Sequence, residues 1–510
     1  MISKLVLGTV KSSSIPMVIK YIGPENYREY LIDANGKLTE GETRLNVADI
    51  KDVGTNVLKS AYANDTSLTG TFSMLSSLTT LTGSNACSYM CNGCTNLTGA
   101  DFGLLATVSG SNALYYCFQG CSKLTSIDLS SLTTITGSYA LASMFNGCSR
   151  FTTLDLSSLT TVSGSNAMRE ICNNVSSLTN LNLSSLTTVT GDYSLYYAFI
   201  NCTGLTNIDL SSLTTLDGQY SMQYAFNGCS YVTSIDLSSL EVLNGYYSMQ
   251  NCFNGCSRLT SVDLSSIRKL AARDGMSYCF QNCTSLTHIE FPSLTVINAQ
   301  GVFYQGFTGC SSLVSADFSK LVTMNDTGCM YSGFPGCTSL TTFDVSSLKY
   351  MHYQTFYGCF QNDRSLQELK FPALREDSFG SSGYHFYNML QGITGCTVYF
   401  PKNLDPQTGS TKVSSESTYP NFGGTNTVLS FTLPSTFILT GANSVEYERN
   451  PKYDTQTALA WRIKDTGTLV DPIIDWTPFY TFGMSDPQVN DTLYSDSACT
   501  TVVTTISTIA

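Results

Sequence analysis

The chain has 510 residues, 13% charged and 42% hydrophobic, a globular composition with room for about three domains of ~100–200 residues each. Lys and Arg number 26 against 38 Asp and Glu, and the net charge of −12 has the wrong sign for gripping nucleic acid or an anionic membrane through charge. No run approaches the ~20 apolar residues of a membrane-spanning helix, so no nucleic-acid partner and no membrane insertion are expected.

Residues 1–56 carry short β-like runs, Leu5-Val6-Leu7 and Met17-Val18-Ile19, and a hairpin signal at Asn35-Gly36, which predict a small β-rich segment. The apolar run in MISKLVLGTVKSSSIP falls short of the ~7–15 residues of a signal-peptide core, and TVVTTISTIA at the other end carries neither an apolar anchor nor a basic stop. Export by a cleaved leader is therefore not expected, and synthesis in a reducing cytoplasm is.

From residue 57 to 402 an internal repeat dominates. Its first apolar position falls at Leu97, Leu124, Phe151, Leu178, Leu205, Val232, Leu259, Leu286, Leu313, Leu340 and Leu366, nine steps of 27 residues and one of 26. Within one unit Ile127-Asp128-Leu129 alternates as a short strand, and Leu141 and Phe145, four apart after the Gly137-Ser138 turn, predict a turn or two of helix. No single coil can bury its own apolar side, so the coils must stack with their strands in a parallel sheet at ~4.8 Å. The predicted fold class is an α/β repeat solenoid of 27-residue coils, a parallel sheet plus short helices, with small β-rich terminal domains.

Equivalent positions form columns. Cys94, Cys121, Cys148, Cys202, Cys229, Cys256, Cys283, Cys310 and Cys337 share one column with Val175, which marks a small apolar core position and predicts buried reduced thiols. Cys117, Cys252, Cys279 and Cys359 share a second column with Met144, Ala198 and Ala225. A third holds Phe118, Phe145, Phe199, Phe226, Phe253, Phe280, Phe307, Phe334 and Phe360, a core stack. Cys91 and Cys94 make one CxxC with no second pair and no nearby His, so no metal site and no cofactor are expected.

The motif LxxIDLSSLxxI, followed by a Phe just before Gly-Cys, resembles the BspA-like class of leucine-rich repeat. The resemblance covers about two thirds of the chain and implies a curved solenoid used for adhesion and recognition instead of catalysis; the family's usual repeat is shorter, so the 27-residue period departs from it.

Two further columns are candidate ligand-binding positions. Asp128, Asp155, Asp209, Asp236 and Asp263 repeat at what reads as the central strand position, interrupted by Asn182, an acidic ladder that prefers cations nearby or merely suits a solvated strand edge. Tyr116, Tyr139, Tyr193, Tyr197, Tyr220, Tyr224 and Tyr247, with Tyr115, Tyr196 and Tyr246 beside them, vary between coils in the predicted helix and its preceding turn. Tyr offers large rigid contact area with few rotors, which suits recognition, though the rings could equally pack between coils. His288, His352 and His385 sit near no catalytic motif and read as packing or surface residues, so no catalytic residue is assigned and an enzyme is not expected.

Residues 403–427 are Ser/Thr/Gly-rich and read as a linker or cap, and 428–510, which hold Trp461 and Trp476 among alternating runs such as Ala458-Leu459-Ala460-Trp461, as a C-terminal β domain. The leader resembles N-terminal attachment segments of phage and prophage fibre proteins, and SDPQVNDTLYSDSACTT resembles C-terminal segments of gut-phage adhesins. These resemblances imply a bacteriophage virion adhesin, a fibre or capsid decoration, that binds a host-surface glycan or protein receptor through the solenoid and other virion proteins through residues 1–56. The alternatives are a bacterial cell-surface leucine-rich repeat adhesin and a purely structural virion spacer. A homo-oligomer is compatible with the sequence, although no coiled-coil heptad specifies one.

Overall fold

The computed structural model describes residues 50–375, 384–400 and 422–424, with the strands Ile19–Ile22, Tyr27–Ile32, Lys37–Glu40, Val428–Ser430, Ile438–Gly441, Glu446–Arg449, Ala458–Ile463, Phe479–Phe482, Thr492–Tyr494 and Val502–Ile509. The runs expected at 5–7 and 17–18, the Asn35-Gly36 turn, most of the 403–427 stretch, and Trp476 lie outside the described residues. The chain divides into two compact units, Met1–Leu286 and Thr287–Ala510.

In both units the repeats form a parallel-sheet solenoid. Each coil contributes a three-residue strand and a two-residue strand, such as Ser126–Asp128 and Thr134–Ile135, each paired in parallel with its counterpart 27 residues away. Apolar and polar residues alternate, so Ile127 and Ile135 point inward and are buried while their neighbours face out. In the first unit Thr80–Leu81 to Lys269–Leu270 run in unbroken register along one side. In the second, His288–Glu290, Ser315–Asp317, Thr342–Asp344, Glu368–Lys370, Thr397–Tyr399 and Val428–Ser430 do the same. Strands Tyr27–Ile32 and Lys37–Glu40 pair antiparallel with Ile32 opposite Leu38, the expected hairpin. The last six strands, Ile438–Gly441 through Val502–Ile509, close an antiparallel barrel whose strand Ala458–Ile463 contains the Ala458-Leu459-Ala460-Trp461 run read from the sequence.

The predicted short helices are not there: no α-helix occurs among the described residues. The segment after Gly137 is instead a ribbon of consecutive reverse turns. Tyr139, Leu141, Ser143 and Phe145 donate their amides to the carbonyls of Ser165, Ala167, Arg169 and Ile171 one coil on, whereas Ala140, Ala142, Met144 and Asn146 donate to carbonyls three residues back. Every fourth residue is left-handed, with φ of 53° at Tyr139, 52° at Ser143 and 78° at Gly147. That four-residue recurrence produces the Leu141/Phe145 spacing that mimics a helix. A helix is ~10 Å across, and the ribbon must advance by the same ~4.8 Å per coil as the strands; rings one coil apart on it sit 4.7 Å apart at Tyr193 and Tyr220. Only a flat ribbon that shares its hydrogen bonds with the next coil fits that rise.

The ribbon's entry is equally tight. A Cβ on Gly110, Gly137, Gly164 or Gly218 would stand 2.3 Å from the carbonyl oxygen of the glycine one coil before, which accounts for glycine at this position in every coil from Gly83 to Gly245, before Ala272 takes it. The interior is filled by the Phe column, with Phe199–Phe226, Phe226–Phe253 and Phe253–Phe280 stacked at 5.2, 5.8 and 5.7 Å, and by the cysteines.

All eighteen described cysteines are buried and none forms a disulfide. The main column does more than fill space: the thiols of Cys121, Cys148 and Cys202 donate to the carbonyls of Cys91, Phe118 and Cys172 in the preceding coil, each at 3.1 Å. Burial pushes Cys148, Cys202 and Cys256 up to about 12, which starves them of thiolate. The column ends differently. Asp363, 26 residues after Cys337, occupies the cysteine position, is fully buried, and has no hydrogen bond to either carboxyl oxygen. Burial raises its pKa to about 8; the nearby amides of Gly336 and Cys337 oppose the rise but donate to the carbonyls of Gln361 and Phe334.

Two outcomes are expected. Native protein at pH 8 should leave these thiols unalkylated by iodoacetamide over an hour, and denaturant should expose all of them, as read by mass spectrometry; rapid native labelling across the main column would contradict its burial. For Asp363 the folded state keeps its proton between pH ~4 and ~8 while the unfolded state has lost it, so the unfolded state binds fewer protons and stability falls as pH rises through that window, by up to ~1.4 kcal/mol per pH unit. Asp363→Val, which places there the residue that holds this column at Val175, should raise the denaturation midpoint at pH 8 far more than at pH 4, measured by denaturant titration at both.

Candidate functional site

The candidate site is the outer surface of the turn ribbon in the first unit. The backbone there requires a left-handed residue at every fourth position, and the repeat meets this with Asn85, Asn112 and Asn166, with Asn174 and Asn201, and with glycines such as Gly120 and Gly255. Asn and Gly occupy that region readily; bulky residues do not. All seven tyrosines singled out from the sequence, Tyr116, Tyr139, Tyr193, Tyr197, Tyr220, Tyr224 and Tyr247, stand at such positions, with φ between 52° and 56°.

The structure sorts them into two groups. Tyr193, Tyr220 and Tyr247 form one row of parallel rings, 4.7 and 4.8 Å apart, and Tyr197 and Tyr224 a second at 4.6 Å. Tyr196 stands edge-on to Tyr193 and to Tyr197, at 5.5 and 4.3 Å. Tyr116 and Tyr139 belong to a smaller cluster with Tyr89 and Tyr115: Tyr89 stacks on Tyr116 at 5.2 Å, and Tyr115 meets Tyr116 and Tyr139 edge-on. Between the groups lie Arg169 and Glu170, an ion pair at 3.1 Å whose guanidinium sits over the Tyr196 ring. On the far side, Arg273 and Asp274 form another at 3.5 Å.

Holding a bulky residue left-handed costs of order 1–3 kcal/mol, and a stacked aromatic pair contributes ~0.5–1.5 kcal/mol beyond burial. The Tyr193, Tyr220, Tyr247 row has three such residues and two stacked pairs, so stacking at best offsets the strain. Asn meets the backbone requirement without either. Burial, together with the neighbouring Tyr220 and Tyr196, raises the Tyr193 phenol above its usual pKa, and burial likewise raises Tyr197 and Tyr224. These hydroxyls keep their protons and can both donate and accept. Tyr246 is 51% exposed and makes no ring contact among the described residues.

The acidic ladder has a different character. Asp128, Asp155, Asp209, Asp236 and Asp263 are each the last residue of the three-residue strand, not its centre. The Oδ1 of each accepts the amide of the serine two residues on, Ser130, Ser157, Ser211, Ser238 and Ser265, at 2.9–3.0 Å, which closes the turn between the two strands. Asn182 does the same for Ser184 at 3.1 Å, because its carbonyl oxygen is all the turn needs. The column therefore has a structural reason to repeat, and it lies on another segment of the coil from the tyrosines.

Sequence reasoning picked out the tyrosines but missed Arg169 and Glu170, the pair that separates the two groups. The signal was present: the tyrosines share columns with Asn and Gly, the residues of left-handed positions, and Glu170 interrupts one such column.

The BspA type leucine rich repeat region matches this chain in overlapping copies over residues 55–197, 114–220, 144–273, 171–305 and 275–390. No curated protein sequence matches. Among solved structures, the chain is similar to the pneumococcal vaccine antigen PcpA, at 14% identity and TM-score 0.33 over 83% of this chain and 100% of that one. It is also similar to an internalin from Listeria monocytogenes, at 16% and 0.20 over 53% and 74%, and to a leucine-rich repeat protein from Leptospira interrogans, at 11% and 0.19 over 70% and 86%. The matched copies run from 55 to 390, more than half of the 510 residues, and the chain belongs to the BspA-type leucine-rich repeat family.

Proposed function

We propose that this protein is a non-enzymatic recognition protein of a bacteriophage virion, a fibre or capsid decoration, that binds a receptor on the host-cell surface through the outer face of its turn ribbon. The observation that carries the recognition role is the clustering of strained tyrosines at left-handed positions where other coils use Asn. Strain that packing does not require belongs with function, and rigid aromatic side chains with a hydroxyl are well suited to contact surfaces. The virion assignment is supported by the resemblance of the leader and the tail to phage fibre and adhesin segments, with residues 1–56 attaching to other virion proteins and the repeat region, 57–402, carrying the receptor surface. The family alone is equally compatible with display on a bacterial cell surface, and finding the protein in purified phage particles instead of in a bacterial envelope fraction separates the two.

Asn tolerates the left-handed backbone, so replacing tyrosine with it removes the rings without disturbing the ribbon. The triple variant Tyr193→Asn, Tyr220→Asn, Tyr247→Asn should melt within a few degrees of the parent yet bind candidate host cells at least tenfold more weakly in a fluorescence-cytometry titration. Unchanged binding by a well-folded variant would remove the tyrosine face from the recognition role.

A further inference from the structure

The tyrosine field carries information about its partner. Over the ribbon segments 193–201, 220–228 and 246–254 there is no Asp, Glu, Lys or Arg. The nearest carboxylates, Asp192 and Asp217, are engaged within the solenoid, accepting the amide of Gln219 at 2.9 Å and the side-chain amide of Asn244 at 3.0 Å, and the charges on the flanking ribbons come as pairs, Arg169 with Glu170 and Arg273 with Asp274. An anionic partner would find no unpaired cation in the field and is further disfavoured by the chain's net charge of −12, and a cationic one would find at its border only Asp192 and Asp217, already hydrogen-bonded to Gln219 and Asn244.

Shape narrows the choice further. Tyr220 has a ring stacked on each face, at 4.7 and 4.8 Å, so it cannot sandwich an incoming ring. It offers its edge and hydroxyl, and the row repeats that offer one coil at a time. A row of stacked ring edges and hydroxyls is a different kind of surface from the desolvated pockets that seat the anchor side chains of a protein partner. Tyr246 supplies the one thing the rows lack, a half-exposed ring outside any stack, on which the apolar face of a sugar could lie.

We infer that the field formed by Tyr193, Tyr196, Tyr220, Tyr224, Tyr246 and Tyr247 binds an uncharged polysaccharide, laid across successive coils so that its hydroxyls meet the row of phenols. This rests on the recognition reading above and deepens it by naming the ligand class.

The test uses full-length protein and cells that it binds. Periodate, which cleaves sugar diols, should abolish binding, while proteinase treatment of the cells should leave it intact. Binding should change less than twofold between 50 and 500 mM NaCl, since no ion pairs form. Tyr246→Ala should weaken binding at least fivefold without shifting the melting temperature. Neutral polysaccharide extracted from those cells should compete with them for the parent protein, and heparin should not. Binding that survives periodate and is lost with proteinase would overturn this inference in favour of a protein receptor while leaving the recognition role standing. So would binding abolished by 500 mM salt. If no host cell is bound at all, the recognition reading itself falls, and the ligand assignment with it.

Discussion

Every second amide of the turn ribbon is satisfied by the coil that follows, and the strands on the other sides of the coil pair with the same neighbour. The coil thus has no complete set of backbone partners on its own, and its conformation exists only in the stack. This sharing forces one rise, ~4.8 Å, on all sides of the coil at once. It excludes helices, leaves room only for glycine at the ribbon's entry in the coils from Gly83 to Gly245, and sets a left-handed residue at every fourth ribbon position.

The columns follow from that rise. A side chain at one position always lies against the same position of its neighbours, so each column can specialise: phenylalanines stack, thiols donate to the carbonyl of the previous coil, and aspartates close a turn. Cysteine suits its column because it fills the space of a small apolar side chain and still supplies one weak donor. Asp363 marks the limit of that tolerance, a carboxyl held neutral where the other coils place a thiol. Repetition of a residue is therefore weak evidence for function in this architecture. The aspartate ladder shows it, since its regularity is explained by a turn that Asn182 closes equally well.

The tyrosines stand out against this background because they depart from the repeat. At positions where Asn85, Asn112 and Asn166 satisfy the backbone, Tyr193, Tyr220 and Tyr247 occupy three successive coils at the expense of strain, in a stretch of ribbon bordered by Asp192 and otherwise without charge. Tyrosines stand at left-handed positions elsewhere too, Tyr89, Tyr116, Tyr139 and Tyr278 among them, but three in successive coils of one column is the departure on which the proposed recognition surface rests.

The 27-residue spacing was enough to establish the solenoid, its parallel strands and its buried Phe and Cys columns, because a side chain that recurs at a fixed period in a stacked coil must meet its own copies. The antiparallel pairing of Tyr27–Ile32 with Lys37–Glu40 was legible for an equally local reason. Leu141 and Phe145 misled, since a spacing of four is common to a helix and to a ribbon of left-handed turns, and the two differ in where the amides go. That destination lies in the next coil and leaves no trace in a local pattern. For the same reason the sequence could name the tyrosines but not say which ones face each other. Ring stacking and the placement of the Arg169 guanidinium over Tyr196 depend on contacts between coils 27 residues apart, and only the tertiary stack brings them together.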